Sequence, residues 1–134
     1  MHVEYLGVSR ISGPLIIMKG VSNAAFEELV EIKVDENETR LGRVMETSGD
    51  TAVVQVFEGT SGMALNNVKA QFLGHPMELP LSRELLGRVF DGLGNPADGL
   101  GRIFAETKRD VNGKPMNPVS RKYPRDYIQT GISA

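Results

Sequence analysis

"LVEIKVDENETRLGRVMETSGDTAVVQVFE", residues Leu29 to Glu58, decides the fold. Its first six residues alternate, with Leu29, Glu31 and Lys33 on one face and Val30, Ile32 and Val34 on the other, the period of a strand with one buried side. The acidic run Asp35–Glu38 then turns the chain, "TRLGRVMET" (Thr39–Thr47) carries it back, and "SGD" (Ser48–Asp50) turns it again. "TAVVQVFE" follows, rich in the β-branched and aromatic residues that suit a pleated, half-buried surface. Three strands joined by two tight turns form an antiparallel meander.

The pattern extends on both sides. "VEYLGVSRI" (Val3–Ile11) alternates loosely until "SGP" (Ser12–Pro14) breaks it, and "LIIMKG" (Leu15–Gly20) starts a second β-rich run. "VKAQFL" (Val68–Leu73) adds the last. These runs predict a mainly β fold over residues 1–75, six strands in a small antiparallel barrel or sandwich, and closure into a six-stranded barrel would remove the exposed edges of so short a sheet. "NAAFEEL" (Asn23–Leu29) is the one helix-like piece, long enough for a turn or two.

Residues 76–134 differ in kind. They hold six of the seven prolines and seven of the fifteen glycines. "DGLGNPADGLG" (Asp91–Gly101) is nearly all turn signal, and the prolines of "NGKPMNPVSRKYPRDY" lie too close together for any helix beyond a turn. Leu85, Leu86, Val89, Phe90, Ile103, Phe104, Tyr123, Tyr127 and Ile128 are apolar anchors without a common period. Ordering a residue costs about 1–2 kcal/mol of backbone entropy, and little burial at about 25 cal/mol per Å² does not offset it. This half reads as an extended, Pro/Gly-rich strap that lies on a body elsewhere.

Composition excludes several classes. Lys and Arg number 15 against 17 Asp and Glu, a formal charge of −2. The first 75 residues carry 6 basic and 10 acidic side chains and the last 59 carry 9 and 7, so neither half is a basic footprint for nucleic acid. There is no cysteine, hence no disulfide frame or thiolate metal site, as suits a reducing compartment. The opening twenty residues lack a basic n-region and an unbroken apolar core, and no apolar run approaches membrane-spanning length. The chain reads as cytoplasmic.

Individual site candidates point to no self-contained enzyme. In "VFEGTSGMAL" (Val56–Leu65) two glycines and two hydroxyls follow an apolar run, as in a phosphate cradle. A P-loop needs G-x-x-x-x-G-K-[ST] ahead of a helix, whereas "EGTSGM" lacks the lysine and leads back into a strand. Nor is it a nucleophile elbow, because Gly62 directly follows Ser61. His2 and His75 have no partners at ligand or triad spacing. Asp91 and Asp98 flank a glycine loop, where Asp-Gly pairs are turn chemistry first. Arg121, Lys122 and Arg125 around Tyr123 are too few cations to neutralise a nucleic-acid backbone strongly. No catalytic, cofactor-binding or metal residue is assigned.

Three motifs, "VFEGTSGM", "LLGRVFDGLGNPADG" and "NPVSRKYPRDYIQTGISA", resemble the N-terminal part of the B subunit of V-type and archaeal A-type rotary ATPases. The second is shared across rotary and export ATPase subunits, so it marks the superfamily. The third, in order and spacing, marks the B type. In the catalytic A subunit a long extra domain is inserted in this region, whereas here the chain runs straight from "DGLG" to "YPRDYIQTGIS". The resemblance implies a barrel that joins its neighbours in a six-membered crown, and residues 76–134 as the start of an incomplete α/β nucleotide-binding domain. It also implies a non-catalytic partner of catalytic A subunits and of the central and peripheral stalks, with ATP or ADP and Mg in the parent complex and none in this stretch. Proton or sodium transport would be the parent's work, from a cytoplasmic, membrane-peripheral sector without membrane insertion or nucleic acid. Full family members are several times longer, so this length suggests a fragment or a truncated paralogue. Two other classes compete, a free-standing or oligonucleotide-binding barrel and the N-terminal part of a catalytic rotary or export ATPase subunit.

Overall fold

The computed structural model describes residues 4–132. His2 and Val3 lie outside them. Seven strands form one antiparallel sheet: β1 (Glu4–Leu6), β2 (Arg10–Ser12), β3 (Leu15–Lys19), β4 (Glu28–Lys33), β5 (Thr39–Ser48), β6 (Thr51–Val56) and β7 (Lys69–Pro76). Their order across the sheet is β1-β7-β4-β5-β6-β3-β2.

That order curls the sheet into a barrel. Laid flat, strands spaced about 4.8 Å apart would hold the outermost two, β1 and β2, roughly 29 Å from each other. Yet β1 and β2 follow one another in the chain, and the link from Leu6 to Arg10 reaches at most about 14 Å. The hinge is Gly7, at φ +84°, a conformation that glycine adopts without steric penalty. Around it the Gly7 N–H donates to the Val68 carbonyl and the Val8 N–H to that of Leu65. The Ser9 N–H donates to that of Ile17, each at 2.8 Å. The first β segment thus leaves β7 and joins β3, and the single expected strand Val3–Ile11 becomes two.

The alternation in Leu29–Val34 is realised, with Val30, Ile32 and Val34 buried. Ile16 and Met18 from β3, Val44 from β5, Val54 and Val56 from β6, and Ala70 from β7 join Val30 and Ile32 in one core cluster. Tyr5 and Phe72 meet edge to face beside it, ring centres 5.5 Å apart. Gly42 faces this core where a methyl group would stand 2.6 Å from the Gln55 carbonyl oxygen, so β5 and β6 approach closely there.

One expectation fails. Asn23–Leu29 holds no helix. The Glu28 N–H donates to the Ala25 carbonyl, closing a tight turn, and Glu27 stands at φ +64°, outside right-handed helix geometry. Beyond the barrel, the strap forms a two-stranded sheet of β8 (Glu78–Leu81) and β9 (Thr107–Asp110), in register from Glu78↔Asp110 to Leu81↔Thr107. Single 3-10 turns occur at Arg83–Leu85 and Pro118–Ser120.

Candidate interaction surface

The Val56–Leu65 loop commits its polar groups to the barrel itself. Arg40, on β5, points inward at the same parity as Gly42 and Val44 and is only 9% exposed. Its Nη1 donates to the Gly59 carbonyl and its Nη2 to the Ser61 carbonyl, both at 2.8 Å, while Nε donates to Glu38 Oε1 at 2.7 Å. The Thr60 hydroxyl donates to the Gly13 carbonyl at 2.5 Å. A phosphate cradle requires converging N–H groups. Here two carbonyls converge on a cation instead.

The other sequence candidates are placed as follows. His75 is exposed, its Nδ1 2.8 Å from the Pro76 carbonyl. Asp35 Oδ1 accepts the N–H groups of Asn37 and Glu38 at 2.8 Å each, an Asx turn at the hairpin tip. Asp91 accepts the N–H groups of Leu93 and Asn95 and the Asn95 side-chain amide. These bonds, the amide's foremost, lower its pKa. Asp98 accepts Arg88 Nε at 2.6 Å and Nη2 at 3.1 Å, and also the N–H groups of Val89 and Leu100. The Arg88 bond, ahead of the backbone ones, holds this carboxyl well below the usual carboxylate range, and the guanidinium rises in turn. Arg88 also lies 5.6 Å from the Phe90 ring centre and donates to the Gly101 carbonyl. The glycine loop is therefore a pinned structure, and its two aspartates face separate partners.

Among the described residues no three His, Cys, Asp or Glu side chains gather as a metal site. With its carbonyls already turned to Arg40, the Val56–Leu65 loop does not fit a nucleotide phosphate or its magnesium. No helix among the described residues is long and apolar enough to cross a membrane.

What the chain does present is apolar surface. Every described residue after Asp110 is exposed. Val119 and Tyr123 stand 91% and 95% exposed, with Tyr127, Ile128 and Ile132 close behind. Arg121, Lys122 and Arg125 are strung along this same irregular stretch, so no sheet face displays them together. Between barrel and strap, Leu29, Leu41 and Met77 face Pro96, Ile103 and Phe104 across an open cleft of about 620 Å³. Together these leave an extended area of apolar side chain open to solvent.

Two inward-facing charges were missed in the sequence, Glu28 and Arg40. Each sits at buried parity in its strand, and that parity was the available signal.

The profile of the ATP synthase alpha/beta family, beta-barrel domain, matches residues 8–74. The chain is 52% identical over 134 residues to the V-type ATP synthase beta chain 2 of Clostridium tetani, covering all of this chain and 29% of that protein. It is 53% identical over 131 residues to the A-type ATP synthase B subunit of Nitrosopumilus maritimus, and 51% identical over 131 residues to the V-type ATP synthase beta chain of Halothermothrix orenii. Those two alignments cover 98% of this chain and 28% of each relative. The chain thus spans less than a third of the length of the curated relatives it matches. With its N-terminal barrel under the family profile and about half of its residues identical to these proteins along its whole length, the chain belongs to the ATP synthase alpha/beta family.

Proposed function

We propose that this chain is the N-terminal region of a non-catalytic B-type subunit of a V/A-type rotary ATPase. Residues 1–75 form the barrel that takes its place in a ring alternating with catalytic A subunits. Residues 76–134 begin the nucleotide-binding domain. The complex couples ATP synthesis or hydrolysis to proton or sodium movement from the cytoplasmic side, with central and peripheral stalks as further partners. ATP or ADP and magnesium are handled outside this stretch.

One observation carries the reading: 52% identity along the whole chain to a protein named a V-type ATP synthase beta chain. Physical features support it. A sheet curled until one short link joins its end strands offers neighbours side chains more than free strand edges. The strap's exposed Val119, Tyr123, Tyr127 and Ile128 suit a segment that packs on a larger body.

The test is a chimera in which this chain replaces the matching 29% of the Clostridium tetani protein, co-expressed with A subunits of the same organism. Native mass spectrometry is expected to find the alternating ring. A folded chimera that stays monomeric, while the parent protein assembles under the same conditions, refutes the reading.

A further inference from the structure

Among the described residues, twelve glycines occupy positive φ, and only two other residues do so, Asn23 and Glu27. Asparagine is tolerated there because its short side chain bonds locally. Glutamate has no such excuse. Glu27 is the third residue of the turn that the Glu28 N–H closes on the Ala25 carbonyl, where glycine is the default. A side chain kept in a strained backbone state points to a use for that side chain.

The contacts show the use. Glu27 Oε1 lies 3.8 Å from Arg43 Nη1 on β5. Its other oxygen accepts a hydrogen bond from the Asn112 side-chain amide, just beyond β9. One carboxylate thus ties the barrel wall to the far end of the strap's sheet. Next to it the Val111 N–H donates to the Met77 carbonyl at 3.0 Å. Glu28, 5% exposed, turns the opposite way. Its Oε1 accepts the Gly74 N–H at 2.6 Å and its Oε2 the Ala25 N–H at 2.8 Å. Glu28 therefore secures β7 inside the barrel sheet, while its neighbour Glu27 reaches the segment that follows β9. Arg43 Nε is buried without a partner, so this corner keeps an unsatisfied donor beside the Glu27 contact.

We propose that Glu27, set in a strained turn beside the buried Glu28, is a latch that fixes the angle of the β8–β9 pair on the barrel. Glu28 is the permanent anchor, buried and doubly bonded. Glu27 is the outer half: its N–H is held on the Val44 carbonyl at 2.9 Å, which keeps the backbone in place while the carboxylate reaches Arg43 and Asn112.

The test is hydrogen exchange by mass spectrometry on this 134-residue chain, comparing Glu27→Gly, Asn112→Ala and the double variant, with the barrel's thermal midpoint followed in parallel. Each single variant is expected to speed exchange across Thr107–Asn112 by about two- to ten-fold, the range that one net hydrogen bond is worth. Glu27→Gly should leave the barrel midpoint unchanged or raised, because glycine accepts that φ without strain. The double variant should exceed the larger single by less than about two-fold, since both remove one contact. Unchanged exchange at Thr107–Asn112 in both single variants overturns the latch. So does a Glu27→Gly midpoint that falls while that exchange stays put, which makes Glu27 a barrel residue only.

Discussion

Arg40→Met tests whether one guanidinium holds the β6–β7 loop. Methionine keeps most of the apolar stem and removes every donor, so packing changes little while three hydrogen bonds vanish. The Glu38 bond counts for little, because that carboxylate is about half exposed and solvent screens it. The bonds to the Gly59 and Ser61 carbonyls count for more, since a hydrogen bond to a charged donor contributes about 1.5–3 kcal/mol. Water reaching the opened loop recovers part of this, leaving a loss of about 2–4 kcal/mol. At about 4–8 °C per kcal/mol for a barrel of this size, the midpoint should fall by roughly 8–32 °C. Urea unfolding followed by far-UV circular dichroism measures the loss directly, with the slope unchanged if the compactness of both states is kept. Arg40→Lys should recover a minor part, because a single ammonium does not reproduce the guanidinium fork across two carbonyls and a carboxylate. A loss below about 0.5 kcal/mol for Arg40→Met, the scale of an ordinary surface change, would refute the reasoning. The carbonyls of Gly59 and Ser61 would then be satisfied equally well by solvent.

Gly42→Ala should cost about 2–3 kcal/mol, since its methyl group would meet the Gln55 carbonyl oxygen at 2.6 Å and Val54 Cγ1 at 3.0 Å, and neither strand yields freely. The same urea experiment checks it, and a neutral result would mean that β5 and β6 separate easily. Asp98 supplies a pH dependence with a definite sign. Its folded pKa is depressed, so its contribution is present above the unfolded value near 4 and is lost as pH falls through the lower, folded value. Exchange protection of Arg88–Gly101, corrected for intrinsic rates, should therefore hold from pH 7 to about 4 and fall only below it. An inflection above about pH 5, or full protection at pH 7 in Asp98→Asn, contradicts this.

Strand content was legible because burial in a barrel wall repeats every two residues, and Val30, Ile32, Val44, Val54 and Val56 obey that period. The route by which the sheet curls was not. It turns on Gly7, whose positive φ lets three residues cross between β1 and β2, consecutive in sequence but at opposite ends of the sheet order, and a glycine inside a strand pattern signals a bend without naming its destination. "NAAFEEL" misled because alanine, glutamate and leucine favour helices locally, whereas tertiary contacts govern here: Glu28 is drawn inward to Gly74, and Glu27 outward to Arg43 and Asn112. The same blindness to distant partners hid the β8–β9 pair, whose strands are separated by the whole pinned loop around Arg88 and Asp98. Beyond Asp110 the position reverses. The prolines and unpatterned anchors already indicated a segment with no core of its own, and the exposed Tyr127 and Ile128 carry apolar area that solvent does not reward. An isolated chain would gain little from fixing such residues. What the barrel does fix is where this exposed segment begins, through the contact of Glu27 with Asn112.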